Sequence, residues 1–307
     1  MPQFQWVPDI PAGVLRNHAL SRKLFAASVA NSRAMEYVRP VEGFGRKQGE
    51  TVTLTRVGNI TEPTSGKLTE GIKIPEDSFA ISTLAITVSE FGRAVPYTSL
   101  AEDLAWFDLS NAIQQKLVEQ QKLILDAAAF TAAKTAKVKY APTGLSTNNI
   151  TTTGTFGAQA TANWNVFHVE EIRDYLFDTL NVPPFIDEDY VALVRTLGLR
   201  GIKRDPQWEE WWKYVHPEAK MTGEVGRIEN IRFVEINHAT SLGKVGLSSV
   251  LGEGLVFGQD FLAMAEVATP ELRAAIPGDF GRSKAVAWYG ILEFGLIWDT
   301  GNAGEAK

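Results

Sequence analysis

The sequence predicts an α+β fold, and three observations carry that expectation. After Asp108 a stretch of 28 residues keeps Leu109, Ile113, Leu117, Ile124 and Ala128 at spacings of four and seven, with no glycine or proline. Runs at 51–55, 79–88, 190–194, 231–236, 254–257 and 285–298 have the alternation or the short apolar blocks of β-strands. The two kinds of element follow one another without the regular strand–helix–strand repeat of a parallel α/β protein.

The first forty-odd residues mix Pro2, Pro8, Pro11 and Gly13 with a short helical pattern at Leu20, Leu24, Ala27 and Val29, so an arm carrying one helix is expected there. From Gly49 the pattern alternates, with Val52 and Leu54 on one face and Thr51, Thr53 and Thr55 on the other, and a matching run returns from Phe79 to Val88. This predicts a two-stranded hairpin. Its connection, Gly58 to Ser78, holds Gly58-Asn59, Pro63, Ser65-Gly66, Gly71 and Pro75. It exceeds the roughly 12–15 residues beyond which structureless loops are uncommon and usually functional. No core of its own is expected beneath it.

The long helix follows, a rod of about 40 Å at about 1.5 Å per residue. From Thr143 to Asn165, 15 of 23 residues are Thr, Ser, Asn or Gly, which predicts an irregular segment or an extended hairpin. Asn165 is the expected N-cap of a second helix with Val169, Ile172, Leu176 and Leu180 on one stripe, stopped at Pro183-Pro184. Tyr190–Val194 reads as a buried strand, and Asp205-Pro206 opens a short helix bearing Trp208, Trp211, Trp212 and Tyr214. Ile231–Ile236, Gly254–Phe257 and a long strand or strand pair at Ala285–Trp298 complete the elements.

Composition narrows the classes of function. With 45% hydrophobic and 21% charged residues, the 307-residue chain is neither disordered, collagen-like nor a simple coiled coil, and it can bury the core of one large or two smaller domains. The count of Cys is 0, which excludes disulfides, thiolate metal sites, iron–sulfur clusters and cysteine nucleophiles, and fits a reducing compartment. The net charge of −6 argues against a generic nucleic-acid binder, but residues 1–56 hold eight Lys/Arg against four Asp/Glu, leaving −10 for the rest. Contact with an anion is therefore expected at the N-terminal end. The opening MPQFQWVPDIPAG lacks the basic and apolar regions of a secretory signal, and 285–298 falls short of the roughly 20 residues of a membrane helix, so no membrane association is expected.

The search for chemistry returns little. His18, His168, His216 and His238 lack the spacing that would place two imidazoles on one metal, so neither a metal site nor any cofactor is expected. Gly223/Gly226 and Gly278/Gly281 fit neither a dinucleotide fingerprint nor a phosphate loop and are expected to be turns. No Gly-x-Ser-x-Gly elbow occurs, and Asp187-Glu188-Asp189 reads as a solvated acidic turn with cation binding as a minor option. Trp208, Trp211 and Trp212 could expose rings to a glycan or peptide, or form a core or subunit-contact stripe on one helical face. Arg16, Arg22, Lys23, Arg33, Arg39, Arg46 and Lys47 could meet nucleic-acid phosphates non-specifically, or form a solvated face. A basic arm, an unsupported hairpin and a long rod without a catalytic constellation together suggest a self-assembling structural protein, since extended elements need support from neighbouring subunits.

Several short stretches carry a family resemblance. They are Leu68-Thr69-Glu70-Gly71 at the hairpin tip, Glu90-Phe91-Gly92 closing the hairpin, Gly223-Glu224-Val225-Gly226 leading into Ile231-Arg232-Phe233-Val234-Glu235, and Val256-Phe257-Gly258-Gln259-Asp260. In this order and spacing, over about residues 15–298, the chain resembles the tailed-phage major capsid proteins of the Hong Kong-97-type fold, in particular the major coat proteins of phages of the N-four type. It departs from their pattern at 143–165 and in the Trp-rich helix. The resemblance implies an N-terminal arm (1–45), an extended E-loop hairpin (46–95), a peripheral domain with a spine helix (96–165), an axial domain (166–259), and return strands with a tail (260–307). It implies no enzymatic reaction. Copies would join as pentamers and hexamers into an icosahedral shell around packaged double-stranded DNA, with scaffolding, portal and decoration proteins as further partners, assembled in the host cytoplasm and ending in the virion. Lys67, Leu68, Glu70, Gly71, Ile72 and Ile74 would make inter-subunit contacts, Arg16, Arg22, Lys23 and Arg33 would face the interior and the DNA, and the three tryptophans would pack in or between axial domains. An encapsulin-type compartment, a glycan-binding tail or adhesin protein, and an unrecognised hydrolase using the acidic loop are the alternatives.

Overall fold

A computed structural model describes residues 30, 33–60, 63, 65–105, 107–206 and 224–298. The helix expected around Leu20–Val29 and the one expected to carry Trp208, Trp211 and Trp212 lie outside the described residues.

The expected hairpin is present: β2 (Thr51–Val57) pairs antiparallel with β3 (Ile81–Thr87), Val52 opposite Ile86 and Leu54 opposite Leu84. A two-residue strand, β1 (Arg39–Pro40), precedes it. The chain then runs into β4 (Ser89–Thr98), the short α1 (Ser99–Leu104) and the rod α2 (Leu109–Ala133). Asp108 caps α2 as expected, its carboxylate accepting the Asn111 N–H at 3.0 Å. Twenty-five residues give about 37 Å of helix.

The buried side of α2 differs from the expected single stripe. Leu117 is buried with Val286 and Trp288, and Ile113 and Ile124 pack against that cluster. Leu125, Ala129, Phe130 and Ala133 enter a second core. The rod crosses two cores in succession, so its buried face turns along its length.

The first core lies under a four-stranded sheet of order β1-β13-β14-β4, where β13 is Leu262–Ala274 and β14 is Ser283–Leu296. The run expected as a strand or strand pair is thus one strand, and its antiparallel partner β13 carried no sequence signal, because its outer half is polar and its pairing with β14 is interrupted by register shifts. Along β14 burial alternates from Val286 to Leu296, the mark of a strand covered on one face. The Glu90-Phe91-Gly92 triplet, expected to close the hairpin, lies inside β4 opposite Ile291, Gly290 and Tyr289, so residues 89–95 belong to this sheet and not to the hairpin.

The second sheet has order β12-β7-β9-β8, with β7 (Tyr190–Arg195) parallel to β9 (Ile231–Ile236), and β8 (Glu224–Ile228) and β12 (Gly254–Phe257) antiparallel at its edges. All of it comes from residues 190–257, with a short antiparallel pair, β10 (Lys244–Val245) and β11 (Leu251–Gly252), between β9 and β12. Between the rod and this sheet come a small hairpin, β5 (Lys139–Pro142) with β6 (Asn148–Thr151), and α3 (Val166–Asp174), capped by Asn165 as expected. The chain widens to a π turn at Tyr175–Thr179, and Val169, Ile172, Leu176 and Leu180 are all buried.

Two glycine expectations divide. Gly278 and Gly281 do shape the β13–β14 turn, Gly281 at φ +91°. Gly226 is not in a turn: it sits in β8 at φ +154°, where the register against β9 slips, a bulge that a side chain would strain. Gly258 stands where the chain leaves the second sheet for the first. A β-carbon there would lie 2.1 Å from the Pro183 carbonyl oxygen, so the Val256–Asp260 stretch needs glycine for a close backbone approach.

Candidate assembly interface

The hairpin has a supported base and an unsupported tip. Ile86 is buried with Ala263 and Ala265 of β13, and Val52, Leu54, Leu84 and Val88 pack around them. This corrects the expectation of an arm without a core: the apolar face of the alternation rests on the small side chains of β13, and Gly295 in β14 leaves room for Ile86. Arg56 reaches the Leu296 carbonyl at 3.4 Å and lies over the Trp298 ring.

Beyond the base, every described residue from 59 to 83 is exposed. Ile60, Leu68, Ile72, Ile74, Phe79 and Ile81 are 51–68% exposed. Thr69–Ile72 makes a turn with Gly71 at φ +83° and the Ile72 N–H on the Thr69 carbonyl. Lys67, Leu68, Glu70, Gly71, Ile72 and Ile74 therefore share one projecting element, with a Lys73–Glu76 ion pair at its side. Six large apolar side chains are held in water on one projection, and covering each fully would be worth about 1.5–3 kcal/mol.

The other candidates separate. Arg16, Arg22 and Lys23 lie outside the described residues, as do Trp208, Trp211 and Trp212. Arg33 is half-buried next to the short 3-10 helix Ala34–Tyr37, and Arg39 pairs with Asp260 at 2.7 Å. Arg46 and Lys47 are exposed on the link to the hairpin.

The acidic loop is not the solvated cluster its sequence suggests. Asp187 and Glu188 are exposed, but Asp189 is 1% exposed and bridges Arg227 at 2.7 Å and Arg232 at 2.6 Å. It ties the start of β7 to β8 and β9, so of the three acidic residues only Asp187 and Glu188 face solvent. Among the described residues no group of three or more His, Asp or Glu could hold a metal ion. Among them, too, no helix is long and apolar enough to cross a membrane.

Two histidines are built into the interior. His168 is buried; its Nε2–H donates to the Gly144 carbonyl at 2.9 Å and its Nδ1 accepts from the Tyr140 hydroxyl at 2.8 Å, which pins the β5–β6 hairpin onto α3. Burial holds the imidazole below its ordinary value of 6.5, outweighing the Gly144 carbonyl, and burial together with Glu171 pushes the Tyr140 hydroxyl upward. The unfolded chain thus binds the proton more readily. The contribution of His168 is complete above about pH 6.5 and is lost as the pH falls through its folded value. In urea unfolding, the midpoint of the native chain should fall between pH 7 and pH 5 more steeply than that of His168→Gln; equal slopes would show that His168 does not set the acid response.

His238 stands with Asp126 and Ser241, three residue types that on paper form a nucleophilic triad. The geometry forbids it. A triad imidazole bridges, one nitrogen to the hydroxyl and the other to the carboxylate. Here the single Nδ1 faces both, 3.0 Å from Asp126 Oδ2 and 2.5 Å from Ser241 Oγ, while the Ser241 hydroxyl reaches the same carboxylate directly. Ser241 is 0% exposed, so no substrate reaches it. The group is a buried polar knot. Sequence reasoning passed over it because 112 residues separate its carboxylate from its imidazole.

A four-stranded sheet backed by a long helix, a hairpin whose base rests on that sheet and a second mixed sheet are the architecture of tailed-phage capsid proteins, and the chain has that fold. No family model matches the sequence, and no curated protein matches it. Solved structures do. The head structure of Helicobacter pylori bacteriophage KHP40 is similar with a TM-score of 0.69 at 12% identity, over 95% of this chain and 94% of that one. The capsid of Helicobacter pylori bacteriophage KHP30 gives 0.68 at 12% identity over 100% and 97%, and that of cyanophage Pam1 gives 0.67 at 15% over 97% and 96%.

Proposed function

We propose that this chain is a major capsid protein, a structural subunit whose copies join as pentamers and hexamers into the icosahedral head shell of a phage and enclose packaged double-stranded DNA. The observation that carries the reading is the hairpin tip, whose exposed apolar residues project from a subunit with the capsid fold. Many modest contacts of one type, closed by symmetry, give a strong shell without any single tight interface. The tip residues Lys67, Leu68, Glu70, Gly71, Ile72 and Ile74 are its inter-subunit contacts. Arg16, Arg22, Lys23 and Arg33 face the interior, where the basic N-terminal end meets DNA phosphates. Trp208, Trp211 and Trp212 pack within or between axial domains rather than against a glycan. Scaffolding, portal and decoration proteins are its further partners; assembly takes place in the host cytoplasm, and no reaction is catalysed.

Electron microscopy of the expressed protein, alone and with a co-expressed scaffold, tests the reading. Closed shells are the expected result, and in DNA-filled particles Lys23 should resist an impermeant amine label. Rods, trimers or a compact monomer under every condition of salt and concentration would overturn it. Shells filled with an enzyme cargo instead of DNA would move the chain to the compartment class.

A further inference from the structure

Residues 33–44 cross the body as a narrow band that touches each of its parts in turn. At one end Ala34, 5% exposed, donates its backbone N–H to Asp126 Oδ1 at 2.8 Å, in the middle of the long helix. Tyr37 then meets Phe185 and Phe257 edge-on, with centroids 5.5 Å apart in each case, at the margin of the second sheet. Arg39 pairs with Asp260, and the Val41 N–H donates to the Met264 carbonyl at 2.9 Å on β13. Val41 and Phe44 end the band against the cluster of Ile86, Ala263 and Ala265 at the hairpin base. One short segment thus joins the helix, both sheets and the root of the hairpin.

Its polar attachments are few, and its apolar ones come from single side chains: Tyr37 and Val38 on the core between the long helix and the second sheet, Val41 and Phe44 at the hairpin base. β1 is only two residues long and lies at the sheet edge, so removing it leaves the pairing of β13, β14 and β4 intact. The Arg39–Asp260 pair is solvent-exposed, with side chains 59% and 33% accessible, and such pairs hold little. The Asp126 carboxylate is 0% exposed, which requires that its charge be satisfied. Oδ2 is served by Ser241 and His238, both from the loop after β9, and the strap supplies only the Ala34 N–H to Oδ1. If the strap lifts, Asp126 keeps two of its three donors. No buried charge is orphaned by opening, which is the requirement for a contact that opens and recloses without unfolding the body.

We propose that residues 33–44 form a releasable strap, latched by Asp126, that detaches as a unit while both sheets stay folded. Its release removes Val41 and Phe44 from the hairpin base while Ile86 stays on Ala263 and Ala265, so the strap is one of two supports of the projecting hairpin and its release loosens that hairpin. In a shell whose copies occupy unlike positions this supplies an adjustable joint, a consequence that rests on the capsid reading although the strap itself does not.

The absence of cysteine makes the test direct. Ala34→Cys places a unique thiol at the buried end of the strap, and Ala129→Cys places one in the core on the long helix beneath it, where the side chain is 0% exposed. In the unassembled subunit, a thiol reagent should label the Ala34→Cys variant at least 10-fold faster than the Ala129→Cys variant, with a weak urea dependence. Adding Asp126→Asn, which also alters the carboxylate that Ser241 and His238 share, should accelerate the first by about 10-fold more than the second. Should Asp126→Asn fail to fold, Arg39→Ala loosens the outer tether without touching the knot and should accelerate only the Ala34→Cys variant, by a few-fold. Equal labelling rates with equal urea dependence, or equal acceleration of both thiols, would show that the strap opens only when the whole protein unfolds. Because the labelling is done on free subunits, its failure is separate from a failure to form shells.

Discussion

Replacing residues 59–79 by a two-residue Asn-Gly turn should abolish particle formation and leave the subunit folded. The Gly58 N–H donates to the Ala80 carbonyl at 2.8 Å, so that pair can close a tight turn without disturbing the register of β2 and β3. The base keeps Leu54, Leu84 and Ile86 against β13, whereas every described residue removed is exposed. Shortening a loop of this size changes closure entropy by only about 1–2 kcal/mol. Circular dichroism and the urea midpoint should therefore stay near native, while sedimentation and electron microscopy should show no shells. Normal assembly of the variant would make the tip decoration. Failure to fold would place it in the subunit's own core.

Trp288→Ala should be the most damaging single substitution in the first core. Trp288 is 1% exposed in β14 and gathers Leu117, Ile113 and Ile124 of the long helix with Phe91 and Tyr97 of β4, so it joins the rod to the sheet that carries the hairpin. Truncating a buried Trp costs about 3–5 kcal/mol, a large share of the roughly 5–15 kcal/mol that holds a domain together. Its indole N–H has no hydrogen-bond partner among the described residues, so no polar contact within them is lost, and Trp288→Phe should cost less than about 1.5 kcal/mol. Urea unfolding of both variants checks this ordering. A loss below about 1 kcal/mol for Trp288→Ala would mean that the rod is held elsewhere.

Elements whose burial is settled by nearest neighbours along the chain were legible. The alternation at 51–55 became β2, the Asp108 and Asn165 caps opened their helices, and Tyr190, Ile231 and Gly254 began strands where the apolar blocks begin. β13 was not legible because its outer end, from Glu271 to Ala274, faces solvent, and its pairing with β14 is broken by two register shifts that spoil a period of two. β4 was absorbed into the hairpin because Ser89 follows Thr87 with one residue between, and only pairing with β14 separates the two strands.

By itself the sequence determined the local structure and the absence of cysteine chemistry, since caps, periodicity and composition act over a few residues or over none. It also placed Leu68, Ile72 and Ile74 on one glycine-turned tip. Only the tertiary structure decided which charges are interior. Asp189 reads as one of three acidic loop residues, yet it is the one turned inward, because Arg227 and Arg232 arrive from strands some forty residues away. Asp126 reads as a polar residue on a helix, yet it is fully buried, because Ala34, His238 and Ser241 converge on it from both sides of the chain. A carboxylate can leave water only where donors are assembled around it, and donors so distant in sequence are brought together by the fold alone.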